Sequence, residues 1–150
     1  ELPARILTQP VAREEYAQMA VVLAKLYGVD RDLEIRLKAR GIKDSEDLLA
    51  HYRKCGSART FGLELDLDEQ TAMRLVNRAQ LARIRGIGEA YTMLLETAGV
   101  KTVEDLAVRS PEQLRGDFER INETARIVGR VPALPMVNGW VTKAQKAPQV

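Results

Sequence analysis

The chain has 150 residues, 45% hydrophobic and 29% charged, a balance that suits a globular domain and argues against disorder. With only 5% aromatic residues the core must be aliphatic, and a net charge of +2 is too small to imply a nucleic-acid partner by itself. The longest apolar run, Met19 to Ala24, falls well short of the roughly 18–20 residues of a membrane span. The one cysteine, Cys55, excludes an internal disulfide and fits a reducing compartment. No segment reads as a signal peptide, so the expected compartment is cytoplasmic.

Helical periodicity runs through almost every segment, and no alternating strand pattern stands out. Residues 1–10, Glu1 to Pro10, read as an extended arm. A first helix is expected from about Val11 to Tyr27, with Tyr16, Met19, Ala20, Leu23, Leu26 and Tyr27 on its inward face. Gly28 ends it, and Asp30 is placed to cap a helix over about Arg31–Arg40. Gly41 then stands where a helix C-terminus turns left-handed. Asp44 is the next cap, with Asp47 three residues on near the helix's positive end. Lys54 to Leu65, holding Gly56, Ser57 and Gly62, reads as a loop. Asp66-Leu67-Asp68-Glu69 caps a helix from about Gln70 to Leu81. Thr102 with Asp105 repeats the Asp44 with Asp47 arrangement, and Gly99 repeats Gly41. Ser110-Pro111-Glu112-Gln113 has the form of a capping box with proline in the first turn. Asn122 is expected to cap a helix over Glu123–Arg130. Pro132 and Pro135 precede a last amphipathic helix, about 136–146, that presents Val137, Trp140, Val141 and Ala144.

The chain also repeats itself. Leu37-Lys38-Ala39-Arg40-Gly41-Ile42-Lys43-Asp44-Ser45-Glu46-Asp47-Leu48 returns 58 residues later as Leu95-Glu96-Thr97-Ala98-Gly99-Val100-Lys101-Thr102-Val103-Glu104-Asp105-Leu106. The same offset pairs Leu23 with Leu81, Leu26 with Ile84 and Gly28 with Gly86. Such a period marks a helical unit that buries its apolar face against its neighbour. Leu67 to Val76 resembles Ile121 to Val128 more loosely. The expectation is one compact all-α domain over 11–150, with repeat one at about 23–80 and repeat two at about 81–134. Leu37, Leu48, Leu95 and Leu106 are expected to meet in a shared core.

Leu81 to Leu95 has two glycines bracketing one apolar residue, Gly86-Ile87-Gly88, between short amphipathic segments. The glycines suit a tight turn that exposes backbone N–H groups at a helix N-terminus, with Ile87 plugging back between the helices. This stretch resembles a helix-hairpin-helix. The tandem, with Arg83-Ile84-Arg85-Gly86-Ile87-Gly88-Glu89-Ala90-Tyr91, Ala98 to Ala107, and Val137, Trp140 and Ala144, is similar to an uncharacterised bacterial family of paired helix-hairpin-helix units. The resemblance implies the fold and, for nucleic-acid-binding relatives, amides that hold a backbone phosphate.

Glu89 and Ala90 stand where DNA-binding hairpins place small and basic residues, and a carboxylate there repels phosphate by about 1 kcal/mol or more. In the first repeat Asp30 replaces the second glycine and fills the anion site itself. Arg74, Arg78, Arg83, Arg85 and Lys101 form a basic cluster around the second hairpin, with further basic groups at His51, Arg53, Lys54 and Arg59. His51 and Cys55 have no partners at metal-ligand or triad spacing, and Asp66, Asp68 and Glu69 lack the rest of a calcium loop. No phosphate-binding loop, dinucleotide fingerprint or nucleophile elbow is present. The expected function is therefore a non-catalytic interaction or scaffolding module for a protein partner, with no catalytic or metal residues, cofactor or small-molecule substrate. Trp140 is a partner-binding candidate as well as a core anchor. The alternative is sequence-independent DNA or RNA binding through Arg83, Arg85, Gly86, Ile87, Gly88 and Lys101.

Overall fold

Residues 20–147 are described in a computed structural model; the expected arm 1–10, the part of the expected first helix at 11–19 with Tyr16 and Met19, and residues 148–150 lie outside them. The described residues are all-helical: a short 3-10 turn, Leu23–Lys25, and eight α-helices. These are α1 (Arg31–Ala39), α2 (Ser45–Cys55), α3 (Ala58–Leu65), α4 (Glu69–Leu81), α5 (Glu89–Thr97), α6 (Val103–Ala107), α7 (Pro111–Ala125) and α8 (Leu134–Lys146). None is long and apolar enough to cross a membrane.

Side-chain caps set most of the boundaries. The Asp30, Asp44, Ser57, Asp68, Thr102 and Ser110 side chains each accept from the backbone N–H three residues on, starting α1, α2, α3, α4, α6 and α7. Asp47 reaches back to the Lys43 N–H, and Asp105 to the Lys101 and Thr102 N–H groups. At Ser110 the partner that answers is the Glu112 carboxylate, which accepts from the Ser110 hydroxyl at 3.2 Å. Gly41 and Gly99 both take positive φ, +81° and +89°, as the helix-end reading requires.

Three local expectations are corrected. Helix does not run through residues 20–27. Val21 pairs instead with the start of α2, its carbonyl accepting from Ser45 N at 2.9 Å and its N–H donating to Ser45 Oγ at 2.8 Å. The Ser45 hydroxyl, on a residue only 2% exposed, thus satisfies an extended backbone that helix would otherwise have to satisfy. Lys54 to Leu65 is not a loop. Gly56 and Ser57 make the turn, and α3 buries Ala58, Phe61, Gly62 and Leu65, a stripe with helical spacing. Asn122 caps nothing; it lies inside α7, and its side-chain amide clasps both the N–H and the carbonyl of Val128 in the loop beyond.

The core is divided rather than shared. Leu37 and Leu48 belong to one cluster with Leu23, Ile42, Phe61, Leu65, Leu75 and Val76. Leu95 and Leu106 belong to another with Leu81, Leu94, Leu114, Phe118, Val137 and Trp140. Helices α2 and α3 pack on α4, as α6 and α7 pack on α8, and α1 meets α3 as α5 meets α7. The looser match of Leu67–Val76 to Ile121–Val128 gives way to a better one. Helices α4 and α8 are both 13 residues long, and α4 buries Ala72, Leu75, Val76 and Ala79 where α8 buries Val137, Trp140, Val141 and Ala144, each 65 residues on. Val76-Asn77-Arg78-Ala79-Gln80 and Val141-Thr142-Lys143-Ala144-Gln145 carry the same relation in sequence.

Two substitutions test this packing. Leu106, fully buried, should cost about 2–5 kcal/mol on replacement by Ala, through lost burial and a residual cavity, read by chemical denaturation. Gly62 lets α3 approach the start of α4, since a Cβ there would sit 2.7 Å from the Leu67 carbonyl oxygen and 3.3 Å from the Ala72 Cβ. Gly62→Ala should therefore destabilise by about 1–3 kcal/mol, although alanine is the better helix former by roughly 1 kcal/mol. An increase in stability would contradict the α3–α4 contact.

Candidate functional site

The Gly86–Gly88 turn joins the end of α4 to α5. Ile84 and Ile87 are both 4% exposed and point into the second core, so the turn is anchored from beneath. Gly86 has φ +95°, and a Cβ on it would lie 3.2 Å from the Trp140 indole nitrogen. Both the backbone and the space beside it thus require glycine. Gly88 caps α5 without any side-chain hydrogen bond, leaving the first amides of α5 uncapped beside open space.

Trp140 is 2% exposed and stacks against Tyr91 and Phe118, with ring centroids 5.1 and 6.4 Å away. Its ring is an internal anchor for α8. The indole N–H finds no hydrogen-bond partner among the described residues.

The basic cluster that the sequence places around this turn is dispersed by the fold. Arg83 forms a two-pronged pair with Glu46 of α2, at 2.7 and 2.8 Å, with both side chains mostly buried. Arg78 does the same with Glu96 of α5, at 2.6 and 2.9 Å, while lying over the Tyr27 ring at 4.5 Å. The Glu96 hydrogen bonds raise the Arg78 pKa still further. A Cβ at Gly28 would overlap the Arg78 guanidinium, so that glycine makes room for the pair. Lys101 follows the C-terminal end of α5, roughly 13 Å along the nine-residue helix from the turn. There it lines a cleft of about 310 Å³ with Tyr27, Arg74, Asn77, Glu96 and Thr97. Of the candidate phosphate contacts, Arg85, Gly86 and Gly88 are exposed at the turn, Ile87 is buried beneath it, and Glu89 is exposed beside them in the first turn of α5.

The fold assembles a second group of side chains that spacing alone did not reveal. His51 Nε2 lies 3.0 Å from Glu64 Oε1, and Cys55 Sγ donates to Glu64 Oε2 at 3.0 Å. Arg40 Nη1 also donates to Glu64 Oε1, at 3.1 Å. Burial and the neighbouring carboxylate push the Cys55 thiol up to about 11, and hydrogen bonds from Cys55 and His51 lower the Glu64 pKa. His51 and Cys55 stand one turn apart on α2, which continues through Cys55 into the stretch read as a loop. Glu64 joins them only because the stretch read as a loop is helical. Asp68, also shifted downward, owes this to its capping hydrogen bond from Thr71.

Fold and site together define an all-helical module with two aliphatic cores, joined by paired arginine–carboxylate contacts and carrying a glycine turn at the junction. The chain belongs to the DUF4332 family, a domain of unknown function, whose model matches residues 27–147. No curated protein and no solved structure shows significant similarity to it.

The arginine pairs are open to direct test. Arg78→Ala should cost about 2–3 kcal/mol, below the range for fully buried pairs because 15% and 19% of the two side chains remain exposed. A double-mutant cycle with Glu96→Gln should return a coupling of about 0.5–3 kcal/mol, read by urea denaturation. Additivity would mean that the contact contributes no stability.

Proposed function

We propose that the chain is a tandem of two helix-hairpin-helix units acting as a non-catalytic interaction module for a protein partner. The observation that carries this reading is the fate of the basic residues at the second hairpin. Arg83 is paired with Glu46, Lys101 lies at the far end of α5, and the exposed Glu89 faces any anion approaching the α5 amides. A phosphate would meet one nearby guanidinium, Arg85, and one nearby carboxylate. Coulomb energies of the two largely offset at similar distance. The recurrence of Gly28, Gly41 and Asp44 as Gly86, Gly99 and Thr102, with matching φ and caps, supports the tandem.

The rival reading, sequence-independent nucleic-acid binding, draws on one feature: the α5 amides have no side-chain cap, and Arg85 stands exposed beside them. Titration of a labelled DNA duplex at low and physiological salt separates the two. A protein-binding module should give no saturable binding at physiological salt. Any low-salt binding should show a salt slope worth only about one or two phosphates. Arg85→Glu should then remove that residual binding without altering stability, and Glu89→Lys should strengthen it. Tight binding that survives physiological salt would overturn the protein-partner reading in favour of the rival.

A further inference from the structure

We propose that His51, Cys55 and Glu64 form a binding site for a single borderline divalent transition-metal ion, Zn²⁺ by preference. The chain has one histidine and one cysteine, and the fold brings both to the same carboxylate. His51 and Cys55 are four residues apart on α2 and so share a helix face. Glu64 comes from α3, which runs back beside α2 after the Gly56–Ser57 turn. One atom from each residue, an imidazole nitrogen, a sulfur and a carboxylate oxygen, can be chosen so that all lie within 4.8 Å of one another.

Tetrahedral zinc holds sulfur at about 2.3 Å and nitrogen or oxygen at about 2.0–2.2 Å, which places its ligands roughly 3.3–3.7 Å apart. Side-chain rotation over short distances brings this triangle to those spacings. The donor set also selects the ion. Calcium and magnesium demand six or more oxygens, whereas one thiolate, one imidazole and one carboxylate suit zinc.

The chemistry balances as a proton exchange. No electron is transferred: the ion bonds to the Cys55 sulfur, whose proton leaves to solvent, and to Nε2 of neutral His51, whose single ring proton then resides on Nδ1. The thiolate and carboxylate then neutralise the two charges of the ion. The ion takes Glu64 Oε2, the oxygen beside Cys55, while Arg40 stays hydrogen-bonded to Oε1 and fixes the carboxylate's direction, as outer partners of metal ligands commonly do. With three protein ligands, and His51 and Glu64 side chains 24% and 32% exposed, the fourth position is left to water. The bound ion would clip α2 to α3 across their turn. This site shares no residue with the hairpin, so it stands or falls independently of the proposed function.

The test uses the full chain, stripped of metal with a chelator and kept reduced. One equivalent of Co²⁺ should produce a thiolate-to-cobalt charge-transfer band and the visible absorption of a tetrahedral ion, and Zn²⁺ should displace both. Cys55→Ser should lose the charge-transfer band. Glu64→Gln, which keeps the side-chain shape, should weaken Zn²⁺ binding at least ~100-fold, the upper end of what loss of an outer partner costs. Equimolar Zn²⁺ should slow alkylation of Cys55 by iodoacetamide at least about tenfold in the wild type and not in Glu64→Gln. Far-UV circular dichroism confirms that each variant is folded. Absence of the band with the wild-type chain, or Zn²⁺ affinity unchanged in both folded variants, would overturn the site.

Discussion

The two guanidinium forks, Arg78 on Glu96 and Arg83 on Glu46, are the constraint on which the rest of the arrangement depends. Each half has its own core, with Leu81 at the end of α4 already packed in the second, and the two forks cross between them. Planar guanidinium groups that satisfy both oxygens of a carboxylate supply direction as well as attraction. Arg78 leaves α4, crosses the Tyr27 ring beside Gly28 and ends on α5. Arg83 leaves the connecting segment and ends on the first turn of α2. Together they fix where the Gly86–Gly88 turn sits relative to the first half.

This use of charge explains the electrostatics of the turn. Two of the arginines that look from the sequence like a surface patch, Arg78 and Arg83, are spent inside the molecule, each against a carboxylate on a helix of the other half. What stays on the surface is the mixed pair Arg85 and Glu89, which sets no strong field of either sign. The cations that remain to line a concave feature, Arg74 and Lys101, do so at the other end of α5 and share that cleft with Glu96.

Division into two cores follows from the relation of α4 to α8. In each half a 13-residue helix lays down four buried positions with the same spacing, and the two helices before it close over them. The second half fills one of those positions with Trp140 where the first has Leu75. The larger ring reaches Tyr91, Phe118 and the edge of Gly86, which ties the closing helix to the turn. The halves differ again at Ser45, whose hydroxyl recruits the extended Val21 backbone. Its counterpart Val103 has no hydroxyl, and there the preceding chain continues as helix α4.

Much of this was legible in the residues themselves. Caps at Asp30, Asp44, Asp68, Thr102 and Ser110, the left-handed Gly41 and Gly99, and the buried faces around Leu37, Leu48, Leu95 and Leu106 all depend on neighbours within four or five positions, and local order encodes them. Helix α3 was also there to be read, in Ala58, Phe61, Gly62 and Leu65, but two glycines and a serine masked it. The α4–α8 relation was hidden by an offset of 65 residues where the rest of the repeat keeps 58. Pairings between distant residues are another matter. Nothing in the chain says that Arg83 will place its charge on Glu46 or that His51 and Cys55 will meet Glu64. Those are properties of how helices cross, which the packing of two whole cores decides and no local pattern contains.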